Sequence, residues 1–377
     1  MTTRNMNISK NIITKNQSKL NIGVIGGGIV GSTTAIHLTN LGHEVALFDP
    51  HTNSIVNHSL NRNGSQASLG ILMGYVYRRS TGRSWALRKR SMELWPKLIQ
   101  EISSNSNPLK INTPLVQLAK SEKEFYLLEK LVKKKGNYKI ELLNKNSITY
   151  FKQILNKKQY GGVISYEDGR IEPLQLLKCM SDTCKKYGIK QIAKKVTSLK
   201  RKTNKEGWTI YLDDQTIMQH DLIVICAALE SEKLLKPLGH IIKLEPILGQ
   251  VLELEYDSKD FNNDKFPAVL NNEGFNLIPK GKNKMLIGST LEPGINASLA
   301  SQNQLHNMNG NAPNWIKNGS IKSKWNGIRA RPLGQVSPIL KTIEPGLIIN
   351  SAHYRNGILL APACAEWVGI EISKRFI

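Results

Sequence analysis

Three glycines, Gly26, Gly28 and Gly31, stand in a Gly-x-Gly-x-x-Gly spacing, and Asp49 follows at the end of the next apolar run. That pattern suits a dinucleotide. The first glycine permits a sharp turn, the second a close approach to a pyrophosphate, and the third contact between helix and strand. Asp49 can accept hydrogen bonds from the adenosine ribose hydroxyls, and it would repel the extra phosphate of NADP. Cys179, Cys184, Cys226 and Cys364 match neither a zinc cluster nor a CxxC pair, and the eight histidines show no metal-ligand spacing. We expect no metal site.

Elements must hold these residues in place. Ile22–Ile25 reads as a buried strand, Ile29–Leu41 as a helix stopped at Gly42, and Val45–Phe48 as a second strand. This predicts an α/β, Rossmann-like βαβ unit, with Gly28, Ile29 and Val30 opening the helix whose free N–H groups face the phosphates. Arg78 to Gln100 reads as a basic helical stretch. Residues 119–160 are lysine-rich and read as helices with a solvated face. Trp208–Leu212, the turn at Asp213 and Asp214, and the run from Leu222 suggest a β-rich insertion whose last strand returns to the parallel sheet. Gln250–Leu254 and Lys284–Gly288 alternate with turn residues, as in an antiparallel sheet. From Trp325 the order is strand, loop, strand, then a helix near Gly357.

A chain of 377 residues with 40% hydrophobic content can bury a cofactor between two domains. The formal net charge is +23. Its lysines are dispersed and not interleaved with aromatics, so we read a solvated basic surface that favours anionic ligands, and no nucleic-acid partner. No apolar run is long enough to span a bilayer. Residues 1–19 are polar, basic and free of acids, and we read them as a disordered leader, with a targeting segment as the alternative. The cysteine usage suggests a reducing, cytoplasmic setting.

The C-terminal string His353-Tyr354-Arg355-Asn356-Gly357-Ile358-Leu359 resembles the signature of glycine oxidases within the D-amino acid oxidase family. Trp325-Asn-Gly327-Ile-Arg329 resembles that family's WxGLR, and Gly288-Ser-Thr290 its GST. Gly64-Ser65 to Gly70, Gly169 to Pro173, and Gly249-Gln250 agree in order. The resemblance implies a discontinuous FAD-binding domain (residues 20–100, 160–240 and 325–377) and an α+β substrate domain with an antiparallel sheet (101–159 and 241–324). It also implies FAD contacts at Gly26 to Gly31, Asp49, Gly64, Ser65, Gly70, Ile71, Val196 and His353 to Leu359.

The implied reaction is oxidation of the Cα–N bond of a small amino acid by hydride transfer to flavin N5. Arg329 and Arg355 would be the reactive-site residues, binding the substrate carboxylate beside Asn276, Leu291 and Tyr354. For each arginine an ordinary structural role is the alternative: a surface ion pair for Arg329, a backbone or phosphate contact for Arg355. Departures from the family pattern fall mainly at the substrate side. Asn276 stands where a tyrosine is usual and Leu291 where methionine is, while Ala228 and Ala352 replace glycines. Two other classes stay open: a flavin-bound assembly protein with a degenerate site, and an NAD-dependent dehydrogenase. A homo-oligomer is open as well.

Overall fold

The computed structural model describes residues 19–51, 62–203, 206–259 and 261–374. The expected leader therefore lies outside the described residues, apart from Lys19. Strand β1 (Asn21–Ile25), helix α1 (Ile29–Asn40) and strand β2 (Glu44–Phe48) form the expected βαβ unit, with β1 parallel to β2 from Asn21 opposite Glu44 to Ile25 opposite Phe48. Both strands are apolar and almost wholly buried, as strands covered on two faces must be.

Four more strands complete this sheet: β3 (Lys190–Ile192), β4 (Leu222–Ile225), β5 (Ile339–Glu344) and β6 (Leu347–Ser351). The order is β5-β6-β4-β1-β2-β3, parallel except for β5 against β6. Helices α2 (Arg83–Ile102), α3 (Pro173–Lys186) and α4 (Gly357–Ser373) join α1 on one face. A three-stranded antiparallel sheet, Val196–Arg201, Trp208–Leu212 and Ile217–His220, shares an apolar core with the other face through the buried Trp208. Pro362 interrupts the hydrogen-bond ladder of α4 because it has no N–H. Helix α2 compensates nearby: Trp95 Nε1 donates to the Leu359 carbonyl and Ser91 Oγ accepts from the Ala363 N–H.

The second sheet is larger. Its order is Glu292–Pro293, Leu244–Glu255, Lys284–Gly288, Phe275–Pro279, Val269–Asn272, Leu115–Leu118, Gly162–Ser165 and Ile140–Leu142, with Ser320–Pro332 also pairing along Leu244–Glu255. Every pair is antiparallel except Val269–Asn272 with Leu115–Leu118. The boundaries expected at 160 and 325 cut through this sheet. Gly162–Ser165 is one of its strands, and Trp325 lies midway along another. The reason is that Ser320 to Lys324 are exposed and, but for Ile321, polar, so the first part of that strand carries no alternation to reveal it.

The lysine-rich stretch forms helices Glu122–Lys135 and Lys145–Leu155. Lys135 departs from the expected solvated face and is fully buried. All four cysteines are unpaired, and no helix among the described residues is long and apolar enough to cross a membrane.

Candidate active site

A cleft of about 1470 Å³ opens where the carboxyl ends of β1, β2, β4 and β6 meet the large sheet. Ligands of open α/β sheets bind at such strand ends, and this volume exceeds the roughly 300–1,000 Å³ of sites for drug-sized molecules. Gly26 turns the chain at φ 105°, where a Cβ would lie 2.6 Å from the Cys226 carbonyl oxygen. Gly28, Ile29 and Val30 line the cleft with Gly26. The first turn of α1 has no acidic residue, and its Ile29 N–H donates to Ser65 Oγ at 3.1 Å.

Two expected contacts are placed differently. Gly31 does not line the cleft; a Cβ there would sit 1.7 Å from the Gly26 carbonyl oxygen, so its bareness lets helix and turn touch. Gly70 is likewise off the cleft, at φ 74° and packed on the Ile171 carbonyl. Asp49 lines the cleft and already accepts the Gly27 N–H and the His51 N–H, each at 2.7 Å. It therefore ties the glycine turn to the end of β2. We expect Asp49→Ala to lower flavin content per protein after gel filtration several-fold; unchanged content would remove Asp49 from the site.

Gly64, Ser65, Ile71, Val196, His353 and Tyr354 line the cleft, as do Arg355 to Leu359. The loop bearing Gly64 is seated on the strand Ser320–Pro332, where Trp325 Nε1 donates to the Ala67 carbonyl and a Cβ on Gly327 would meet Ala67 at 2.3 Å. His353 is buried with its Nε2 unpartnered, and burial together with the nearby Arg83 pushes its pKa down to about 3. His353 is thus neutral in the cleft wall. The start of α4 also opens on the cleft, again with no acid in its first turn.

On the opposite wall Arg329 lies over Gly249, where a Cβ would be 2.2 Å from the guanidinium. Its Nη2 donates to Ser289 Oγ at 2.6 Å and its Nη1 to the Thr290 carbonyl at 3.2 Å. No carboxylate pairs with it among the described residues. Burial, aided by Arg355, lowers its pKa to about 10. Arg355, Leu291 and Asn276 also line the cleft. Asn276 is buried in the sheet, accepting from Asn271 Nδ2 and donating to the Gly288 carbonyl.

The sequence model of the family described as FAD dependent oxidoreductase matches residues 21–369. The chain belongs to this family. Glycine oxidase of Bacillus licheniformis is 21% identical over 350 residues, covering 91% of this chain and 90% of that protein. The solved glycine oxidase of Bacillus cereus superposes with a TM-score of 0.78 at 22% identity, over 95% of this chain and 96% of the other. The L-alpha-glycerophosphate oxidase of Mycoplasma pneumoniae, solved with FAD bound, reaches 0.78 at 16%, over 94% and 95%. At these identities the structures establish the shared fold.

FAD is the cofactor of this oxidoreductase, and the cleft suits it: two acid-free helix starts and a bare Gly28 converge there. Three further charged residues, which carried no sequence signal, hold one wall of the oxidoreductase's cleft. Asp168 is buried, and its carboxylate accepts the N–H groups of Gly74, Tyr75 and Val76. Lys135 Nζ donates to the Tyr75 and Tyr77 carbonyls and sits 3.5 Å from the Trp85 ring centroid. Arg88 bridges the Met73 carbonyl to Asn356 Oδ1 at the start of α4. Desolvation lowers the Lys135 pKa to about 8 and raises that of Asp168 to about 6, against the pull of its N–H donors.

The folded Asp168 carboxyl thus binds its proton more tightly than in the unfolded chain. Its titration favours the fold below about pH 4 and is lost as pH rises through about 6. Urea unfolding should therefore show the stability difference between the parent and Asp168→Asn falling across that interval; a flat difference would contradict it. At neutral pH the variant should lose about 1–3 kcal/mol, since one amide cannot satisfy three wall N–H groups.

Proposed function

We propose that this oxidoreductase oxidises the Cα–N bond of a small amino acid such as glycine, a D-amino acid or an N-methyl amino acid. The observation that carries the reading is Arg329: a desolvated guanidinium on the cleft wall whose fork has no carboxylate partner among the described residues. A half-buried cation of this kind is completed by an anionic ligand, and a planar fork matches a carboxylate bidentately. The resemblance of the His353–Leu359 string to glycine oxidases supports the choice of an amine.

In this reading Ser289 and Thr290 orient Arg329, which anchors the substrate carboxylate, and Arg355 adds positive charge at the cleft mouth. When bound, FAD would supply the two-electron acceptor for the Cα–N bond; the substrate would lose a hydride from Cα and a proton from nitrogen, and water would hydrolyse the resulting imine. The N–H groups opening α4 favour negative charge developing beside them. The acids lining the cleft are Asp49 after β2, Asp213 in the turn between Trp208–Leu212 and Ile217–His220, and Glu230 after β4, none of them on Arg329's strand, so we assign no side-chain base to the carbon. The smaller sheet with its helices would hold the cofactor and the larger sheet the substrate. The unpaired cysteines fit a reducing compartment, and we assign the protein to the cytoplasm.

The test is anaerobic bleaching of the bound flavin by amino acids and by the matching α-hydroxy acids and glycerol phosphate. Bleaching by amino acids alone is expected. Bleaching by the hydroxy compounds in preference would move the reaction from C–N to C–O oxidation.

A further inference from the structure

Beside the cleft lies a smaller cavity of about 210 Å³, several times the roughly 30 Å³ share of a water molecule. The two spaces share Val76, Arg78 and Gln117. Lys130 and Lys134 line the small cavity, no acid does, and Arg78, Lys130 and Lys134 form no ion pair with any described residue. Leu128 and Leu131 supply an apolar patch.

A polar floor leads there from Arg329. Gly288, Asn276, Asn271 and Gln117 are register partners on four adjacent strands and so share one face of the large sheet. The row starts beside Ser289, which holds Arg329, and crosses three strand spacings, about 14 Å, before reaching Arg78. The Gln117 carboxamide has no hydrogen-bond partner among the described residues, and Asn271 spends only its amide nitrogen, on Asn276. Glycine at the Arg329 anchor would leave this row uncovered.

We propose that the substrate carries a second anionic group, joined to the oxidised amine by a polar or short aliphatic chain and seated by Arg78 and Lys134. This deepens, and rests on, the reading of the cleft as an amine-oxidising site. The class comprises acidic amino acids and amines bearing two carboxylated arms. The oxidised bond is still Cα–N, and FAD takes the two electrons, so a single anaerobic turnover balances without another acceptor.

The experiment is anaerobic flavin reduction of the FAD-loaded enzyme by glycine, sarcosine and D-alanine, against D-aspartate, D-glutamate and iminodiacetate. The second set should half-saturate at a severalfold lower concentration, as pairing with the exposed Arg78 and Lys134 allows. Arg78→Gln and Lys134→Gln should each shrink that preference several-fold while flavin content stays at the parent level. Equal or better use of the first set, or an unchanged preference in both variants, overturns the inference while leaving amine oxidation standing. Bleaching by neither set, with FAD retained, overturns the amine reading and this inference with it.

Discussion

Gly28→Val is expected to purify nearly free of FAD, with under about a tenth of the parent's flavin absorbance per protein. The backbone of Gly28 is ordinary, at φ −68°, so valine creates no strain there. The effect is one of space. A Cβ at this position already lies 3.0 Å from Ser65 Oγ, and two further methyl groups would occupy the opening through which a pyrophosphate must approach the α1 N–H groups. The variant should therefore fold and stay colourless. Gly31→Ala makes the opposite contrast, because its methyl would collide with the Gly26 carbonyl at 1.7 Å and damage the βαβ unit itself. A yellow, folded Gly28→Val protein would show that the cofactor does not cross this turn.

Arg329→Lys is expected to raise the amino acid concentration that half-saturates flavin reduction by about a hundredfold, even though charge is conserved. Loss of a bidentate, desolvated arginine–carboxylate pair costs about 2–5 kcal/mol. Lysine is a point charge that cannot bond Ser289 Oγ, the Thr290 carbonyl and both oxygens of a carboxylate in one plane. Arg329→Ala should be at least as impaired. The neighbouring Arg331 is paired with Glu245, which makes it a poor substitute anchor. If both variants reduce with the parent's concentration dependence, Arg329 is structural and Arg355 becomes the candidate.

The cofactor half of this molecule was legible in sequence because its determinants are local. Strand, glycine turn, helix and Asp49 follow one another along the chain, and each glycine answers to a backbone requirement. Ala228 and Ala352 stand where the family pattern has glycine, yet both keep left-handed backbones at φ 48° and 54°, so the conformation is kept at roughly 1–2 kcal/mol of strain each. The wall of the cleft was not legible. Asp168, Lys135 and Arg88 bind backbone groups of residues 73–77, which no side-chain pattern announces. Lys135 is further disguised by the exposed Lys133 and Lys134 beside it. The analogy with a tyrosine puts Asn276 at the substrate; it does line the cleft, and its carboxamide bonds, which the analogy does not show, make it one rung of a row across the sheet.

The most direct test of the account is an anaerobic titration of the purified yellow protein with whichever amine of the panel bleaches it at the lowest concentration. Full loss of the visible flavin bands is expected at one equivalent of amine per FAD, with one equivalent each of carbonyl product and of ammonia or released amine. A spectrum unmoved by every amine, in a protein that keeps its FAD, would contradict it and leave a flavin-bound protein whose substrate site has lost its chemistry.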